Sequence, residues 1–528
     1  MSIAKTTRRH ALALFVGATG VAGFRSTTAL GGTTPERKTL DVSERTLSQI
    51  VEQDITRTPF GYGARGDAKS DDGPALRQAV ASYGPPGGAV DLPAAQYKSG
   101  AAGGHVLLID APVALSGKGA SLSIINPELA RDIDDTIIVS PNLNFSHEGL
   151  VLRDFGLLNP TNGERRGRRG IVLKTDSPGQ QLAGVWLENL SIGGGTGADA
   201  WGVHHQNGYG ARLGPNANGG WYGGGIRRCL IKGGVFLENS GDSLHIDDNI
   251  LSGARRSLTV SLISGASCLT VRGNNMTSIG GAIKHTSGHR CSYSDNNIEH
   301  DTAGIETDSD GHRAVVSFDG EKVSGVANRF IGGLISCFGS SDANVLIKIK
   351  NQRGFVLDKV TMLSGIRGVA AIYIAASSKD TIIGQLIGQD INGDCAIDLS
   401  IIDHGVGTMG ITKTALLRNG WVADKANDEA FQYRKTTDGR VHLWGSISSN
   451  AVSKDTVVTI LPPGFRPARI CRLSVTAFNE RTSKTSTGRI TILPDGTVGI
   501  THVPNDIHTL DIDVSFEALN AGRALTAE

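Results

Sequence analysis

The sequence predicts an all-β protein: a parallel β-helix solenoid with an N-terminal capping helix and a small C-terminal antiparallel β-sandwich domain. Three observations carry this expectation. At 528 residues the chain is too long for one ordinary compact core, which leaves several domains or an elongated repeat. It carries 70 glycines and only 5% aromatic residues, a balance suited to tight turns and stacked strands. Its central region also aligns on itself at a spacing of twenty-odd residues with insertions. Units of that size bury their apolar faces only by stacking on one another.

Residues 1–30 read as an export leader. Arg8-Arg9 precede an apolar run from Ala11 to Phe24, and Thr27-Thr28-Ala29 supply small residues where a signal peptidase could cut. The stretch resembles a bacterial twin-arginine signal, with Ala11 where a bulky residue is usual. A membrane anchor needs about 20 apolar residues, and this run is shorter. The expected product is therefore secreted or periplasmic, with no membrane partner once the leader is removed and an N-terminal extension over 31–58. Charges nearly cancel, 52 Lys+Arg against 51 Asp+Glu, which argues against nucleic acid as a partner. The six cysteines form no zinc-like cluster. Cys268 and Cys291 lie 291 − 268 = 23 residues apart, about one coil, so a disulfide between neighbouring coils is an expectation to test.

The repeats include "ENLSIGG" (188–194), "DNILSGA" (248–254), "NNMTSIG" (274–280) and "NNIEHDT" (296–302). This alignment puts Asn189, Asn249, Asn275 and Asn297 at one turn, where Asn tolerates left-handed geometry and can bond its copy one coil away. Flanking strands such as Leu244-His245-Ile246-Asp247 alternate, with the first and third residues expected to point inward.

Residues 60–100, "FGYGARGDAKSDDGPALRQAVASYGPPGGAVDLPAAQYKSG", resemble the opening segment of the pectate-lyase-like superfamily. Lys69 and Gly73-Pro74 depart from its usual pattern. The resemblance implies a right-handed parallel β-helix over 59–410 and a polysaccharide substrate, without naming a reaction. Local physics agrees with an architectural role. Asp72 suits an N-cap, Pro74 suits a first turn, and Ala75, Leu76, Ala79 and Val80 form an apolar stripe on a helix ending near Gly84. That helix would cover the open edge of the first coil. Capping and turn formation account for Asp67, Asp71 and Asp72 without a metal.

Residues 411–528 change to alternating strands with Pro-Gly and Asp-Gly turns, as in "LPPGFRPA" and "LPDGTV". They resemble small C-terminal domains of phage tail fibres and tailspikes, which allows a homotrimer. Trp444 and the phenylalanines here are assigned to the core.

Chemistry in a solenoid belongs on outward strand positions and corner loops. Aligning the strand after each asparagine turn pairs Val203-His204, Val235-Phe236, Leu258-Thr259, Ile283-Lys284 and Ile305-Glu306, with the second residue outward. Lys284 and Glu306 would then sit on adjacent coils about 4.8 Å apart. Asp308 follows on the same face, and Glu238 follows Phe236. Hydrolysis would use two carboxylates, from Glu306, Asp308 and Glu238. β-Elimination on a uronic acid would use a base and cations, from Lys284, His204, His285 and Arg290. A plain inter-coil salt bridge between Lys284 and Glu306 is the third reading.

A second outward column holds His245 and Arg272, the latter suited to a substrate carboxylate. Asp247-Asp248 could hold calcium but supply few of the oxygens it takes, so capping or turn duty is favoured there and no cofactor is expected, with calcium the alternative. The glycine-rich segment 201–225 offers Trp201, Tyr209, Trp221 and Tyr222 as sugar-stacking rings. Together these residues lead to a secreted carbohydrate-active enzyme that depolymerises an acidic or complex polysaccharide, with elimination favoured over hydrolysis. A non-catalytic, tailspike-like glycan-binding protein is the alternative.

Overall fold

In the computed structural model the described residues are 57–519, except 85–86, 129–134, 141–149, 158–163, 166–167, 176–179, 196–199, 208–219, 240–241, 255, 262–267, 302, 321–324, 339–340, 365–368, 390–400, 407, 424–429, 437–438, 450–455, 480–481 and 505–506. The export leader, Tyr209 and Cys395 lie outside them.

Each coil contributes one strand to each of three parallel sheets of eleven strands. The first sheet runs from Gly88–Asp91 to Ile382–Ile383, the second from Ala95–Gly100 to Leu386–Gln389, and the third from His105–Ile109 to Ile401–Asp403. Alternation along each strand sends one set of side chains into the coil. On the third sheet that set includes Val203, Val235, Leu258, Ile283, Val316, Ile347 and Ile372, stacked in register. All are buried in one continuous core.

The turn from the first sheet to the second has two special positions in succession. The earlier one is left-handed and is filled by Asp154, Asn189, Arg228, Asp248, Gly273 and Asp295. Gly273 has φ +65, and a Cβ there would lie 2.4 Å from Asp248 Oδ1. The next position carries the ladder: Asn249 Nδ2 donates to Asn274 Oδ1 and Asn274 Nδ2 to Asn296 Oδ1, each at 2.9 Å. Asn274 and Asn296 thus replace the expected Asn275 and Asn297, which open second-sheet strands and are exposed. Asn189 is in the left-handed position and donates to Asp154 Oδ1 instead.

A helix over Gly73–Ala81 has Pro74 in its first turn and buries Ala75, Leu76, Ala79 and Val80. It packs over the first strands of the second and third sheets, and Arg77 donates to the carbonyls of Gly100 and Val106. The three acids serve the backbone, although Asp72 does not cap with its side chain. Its carboxylate accepts from the Arg65 and Gly66 amides, while Asp71 Oδ1 takes the Gly73 and Gly100 amides. Asp67 accepts from Lys69 and Ser70, which holds its carboxyl down at about 2.

The C-terminal domain is a single curled antiparallel sheet wrapped round its own core. Phe431, Phe465 and Phe516 fill that core. Trp444 does not: it alternates with buried Leu443 on the outer face and stacks on His442. Lys413 ties the domain to the last coil through Asp403, at 2.5 Å. Among the described residues no helix is long and apolar enough to cross a membrane.

Candidate active site

The outward column of the third sheet reads His204, Phe236, Thr259, Lys284, Ser317, Lys348 and Tyr373. The neighbour of Lys284 is therefore Ser317, and the expected pairing with Glu306 does not occur. The reason is an insertion. Residues 303–313 lie off the coil after the second-sheet strand Asn297–His300, and the third sheet resumes only at Ala314–Asp319.

That insertion nevertheless brings Glu306 and Asp308 to Lys284. A pocket of about 240 Å³ is lined by Arg256, Lys284, Glu306, Asp308, Ser317 and Asp319, with His312 at its side. Arg256 lies 3.7 Å from Glu306, whose side chain is 52% exposed. Asp308 Oδ1 accepts from the Asp310 and His312 amides, and its Oδ2 lies 2.5 Å from Lys348 Nζ. Burial pushes the Asp308 carboxyl up, but Lys348 and the two amides outweigh it and hold the group below the usual carboxylate range. Asp310 is held at about 2 by Lys348 and Lys350. Lys284 has no carboxylate in ion-pair range among the described residues.

His204 and Glu238 form a second group on the same face, three and two coil steps from Lys284. His204 Nε2 lies 3.4 Å from Glu238 Oε2, off hydrogen-bond alignment. Its Nδ1 faces Arg169 Nη1 at 3.0 Å, and Arg169 is clamped by both oxygens of Asp135. Burial, and then the Arg169 charge, hold the imidazole below its ordinary value against the pull of Glu238. Trp201 and His204 both pack on Phe236, at 5.2 and 4.7 Å between ring centres, giving this end of the face an aromatic strip.

The remaining expected site residues lie elsewhere. His285 follows Lys284 and so points inward; it is fully buried, with Nδ1 2.7 Å from the Tyr293 hydroxyl, and burial takes it to about 4. His245 and Arg272 are outward on the first sheet, a different face. There Arg153, Glu188, Arg227, Asp247 and Arg272 alternate in charge up the stack, and Arg272 pairs with Asp247 at 3.8 Å. Arg290 sits in a left-handed corner before the first sheet. Trp221 is buried, donating from Nε1 to the Val185 carbonyl, so its ring is core. Tyr222 is half-buried on a short strand paired with Gln181–Ala183. Cys268 and Cys291 are both free thiols. Thr270 pairs with Ser292, which sets Cys291 opposite Leu269 and leaves Cys268 out of register with it.

Several site residues were not anticipated: Arg256, Asp319, Lys348, Lys350, Asp310, and the pair Asp135–Arg169. The alternation in "AVVSFD" and "VLIKIK" carries a signal for some of them, since aligning the two strands stacks Ser317 on Lys348 and Asp319 on Lys350.

No protein-family model and no curated protein matches the chain. Solved structures of similar path include the A-module of the mannuronan C-5 epimerase AlgE4 of Azotobacter vinelandii, at 15% identity and TM-score 0.42 over 67% of this chain and 99% of that one. The DFA-IIIase of Arthrobacter chlorophenolicus A6 aligns at 12% identity and TM-score 0.42, over 67% and 93%. The catalytic unit of a GH87 α-1,3-glucanase from Streptomyces thermodiastaticus strain HF3-3 aligns at 13% and 0.38, over 67% and 68%.

Proposed function

We propose that the protein is a carbohydrate-active enzyme that cleaves a polysaccharide lying along the third sheet, by hydrolysis at the pocket between that sheet and residues 303–313. The observation that carries this reading is the convergence of Glu306, Asp308 and Asp319 on one solvent-open pocket with Lys284 and Arg256. Asp308, held ionised, serves as the base or nucleophile; Glu306, the more exposed carboxyl of the pocket, is left to serve as the acid. The strip of Trp201 and Phe236 on one side, and Tyr373 on the other, gives sugar rings apolar faces to stack on. An exported enzyme would meet such polymers outside the cell, in keeping with the leader read at 1–30.

Elimination is the second reading, because Lys284 lies in the same pocket with no carboxylate partner among the described residues. It has lost support from His285, His245, Arg272 and Arg290, none of which shares that face. One assay separates the readings. Purified protein is incubated with a polysaccharide panel while reducing ends and the ultraviolet absorbance of unsaturated uronates are both followed. Reducing ends without absorbance, lowered roughly 10²–10⁴-fold by Glu306→Gln or Asp308→Asn, are expected for acid–base hydrolysis. Rising absorbance lost in Lys284→Ala would favour elimination. Binding without either signal would leave a glycan-binding protein.

A further inference from the structure

Lys348 occupies an outward strand position, between Ser317 and Tyr373 in the stack, yet its side chain is fully buried. Its ammonium lies 2.5 Å from Asp308, 2.7 Å from Asp310 and 3.7 Å from Asp319. Lys350 adds contacts of 2.8 Å to Asp310 and 3.6 Å to Asp319. Asp308, Asp310 and His312 present donor atoms within 4.8 Å of one another, the donor types and crowding that suit a divalent ion. The ammonium stands among those same oxygens, and an incoming dication would meet two lysine charges there.

We propose that Lys348 is the built-in cation of the pocket, a positioning residue that performs with an ammonium group what a bound divalent ion would otherwise do. Its three carboxylates come from two segments: Asp308 and Asp310 from the insertion, and Asp319 from the neighbouring strand of the third sheet. Lys348 therefore pins the insertion to the sheet. Because Asp308 Oδ1 is already committed to two amides, the contact at Oδ2 sets the carboxylate plane. The kinetic consequence rests on the hydrolytic reading above; the ion-binding consequence does not.

The test compares wild type with Lys348→Ala in two measurements, calorimetric titration with Ca²⁺ and turnover with and without a chelator. Wild type should take up no Ca²⁺ at this site and keep its turnover in chelator. Lys348→Ala should lose kcat by roughly 10²-fold, as expected for a displaced catalytic group. It should regain part of that with methylammonium or Ca²⁺, and bind one Ca²⁺ that the added Asp310→Asn change abolishes. A folded Lys348→Ala with unchanged kcat, or with no Ca²⁺ uptake, overturns the proposal. If circular dichroism shows that Lys348→Ala does not fold, wild type decides alone: Ca²⁺ uptake abolished by Asp310→Asn overturns the proposal, and no uptake upholds it. If wild type turns over no glycan, the hydrolytic reading fails while the Ca²⁺ titration of Lys348→Ala still judges this proposal.

Discussion

Arg169 holds the Nδ1 lone pair of His204, at 3.0 Å from its Nη1. A guanidinium can only donate, so Nδ1 accepts and the imidazole proton is on Nε2, facing Glu238. Burial and the adjacent positive charge lower the pKa of the ring. His204 should stay neutral, with its proton on Nε2, to a pH below the ordinary histidine value of about 6.5. Long-range ¹⁵N–¹H correlation spectra against pH check this; a ring that charges near that value would refute it. Such a histidine is a poor general base, which further weakens elimination.

The Asp135–Arg169 pair is bidentate, and both side chains are under 9% exposed. Asp135→Ala should cost roughly 3–5 kcal/mol, because it leaves a buried charge uncompensated. Replacing both residues by apolar side chains should cost distinctly less. Urea midpoints of the single and double variants distinguish these outcomes from an additive effect.

Acid should destabilise the coil through two core histidines. Burial takes His205 to about 3 and His285 to about 4, so each stays neutral in the folded chain. The unfolded chain binds their protons first, below about pH 6.5. The stability they contribute is thus fully present above that pH and is lost as pH falls toward the folded values. The slope is up to about 1.4 kcal/mol per pH unit for each group. Urea midpoints taken from pH 7.5 down to pH 5 should fall less steeply in His285→Leu than in wild type; parallel curves would contradict the assignment.

The asparagine ladder should be far more sensitive than its exposed neighbours. Asn274→Ala removes the Oδ1 that accepts from the Asn249 backbone amide, leaving that buried N–H unsatisfied at roughly 1–3 kcal/mol, while Asn249 Nδ2 and Asn296 Oδ1 each lose one of two bonds. Asn275→Ala, one residue on, should change stability by no more than about 0.5 kcal/mol. Equal effects on thermal unfolding would mean the ladder contributes nothing.

Period-two alternation made the inward columns legible, and the helical stripe of Ala75, Leu76, Ala79 and Val80 was legible for the same kind of reason. The same alternation already implied that His285 points inward once Lys284 points out. Asn189 and Asn249 occupy adjacent turn positions that both favour Asn, one for its left-handed backbone and one for its amide, so composition could not separate them. Glu306 was misaligned because Ile305-Glu306 mimics a strand pair while the coil resumes nine residues later, at Ala314. Lys348 stayed hidden because its partners depend on where that insertion folds back, which no local pattern encodes.

The insertion 303–313 supplies Glu306, Asp308 and Asp310, while Val203, Val235, Leu258, Ile283, Val316, Ile347 and Ile372 fill the coil interior. No residue belongs to both sets. Inheritance can treat them differently: drift in the interior is limited by volume, whereas change in the excursion is limited at the points where it is tied down, Ile305 in the core and the carboxylates on Lys348. A lineage built on this coil could reshape the pocket by trading this corner together with Lys348 and Lys350, whose carboxylate partners leave with it.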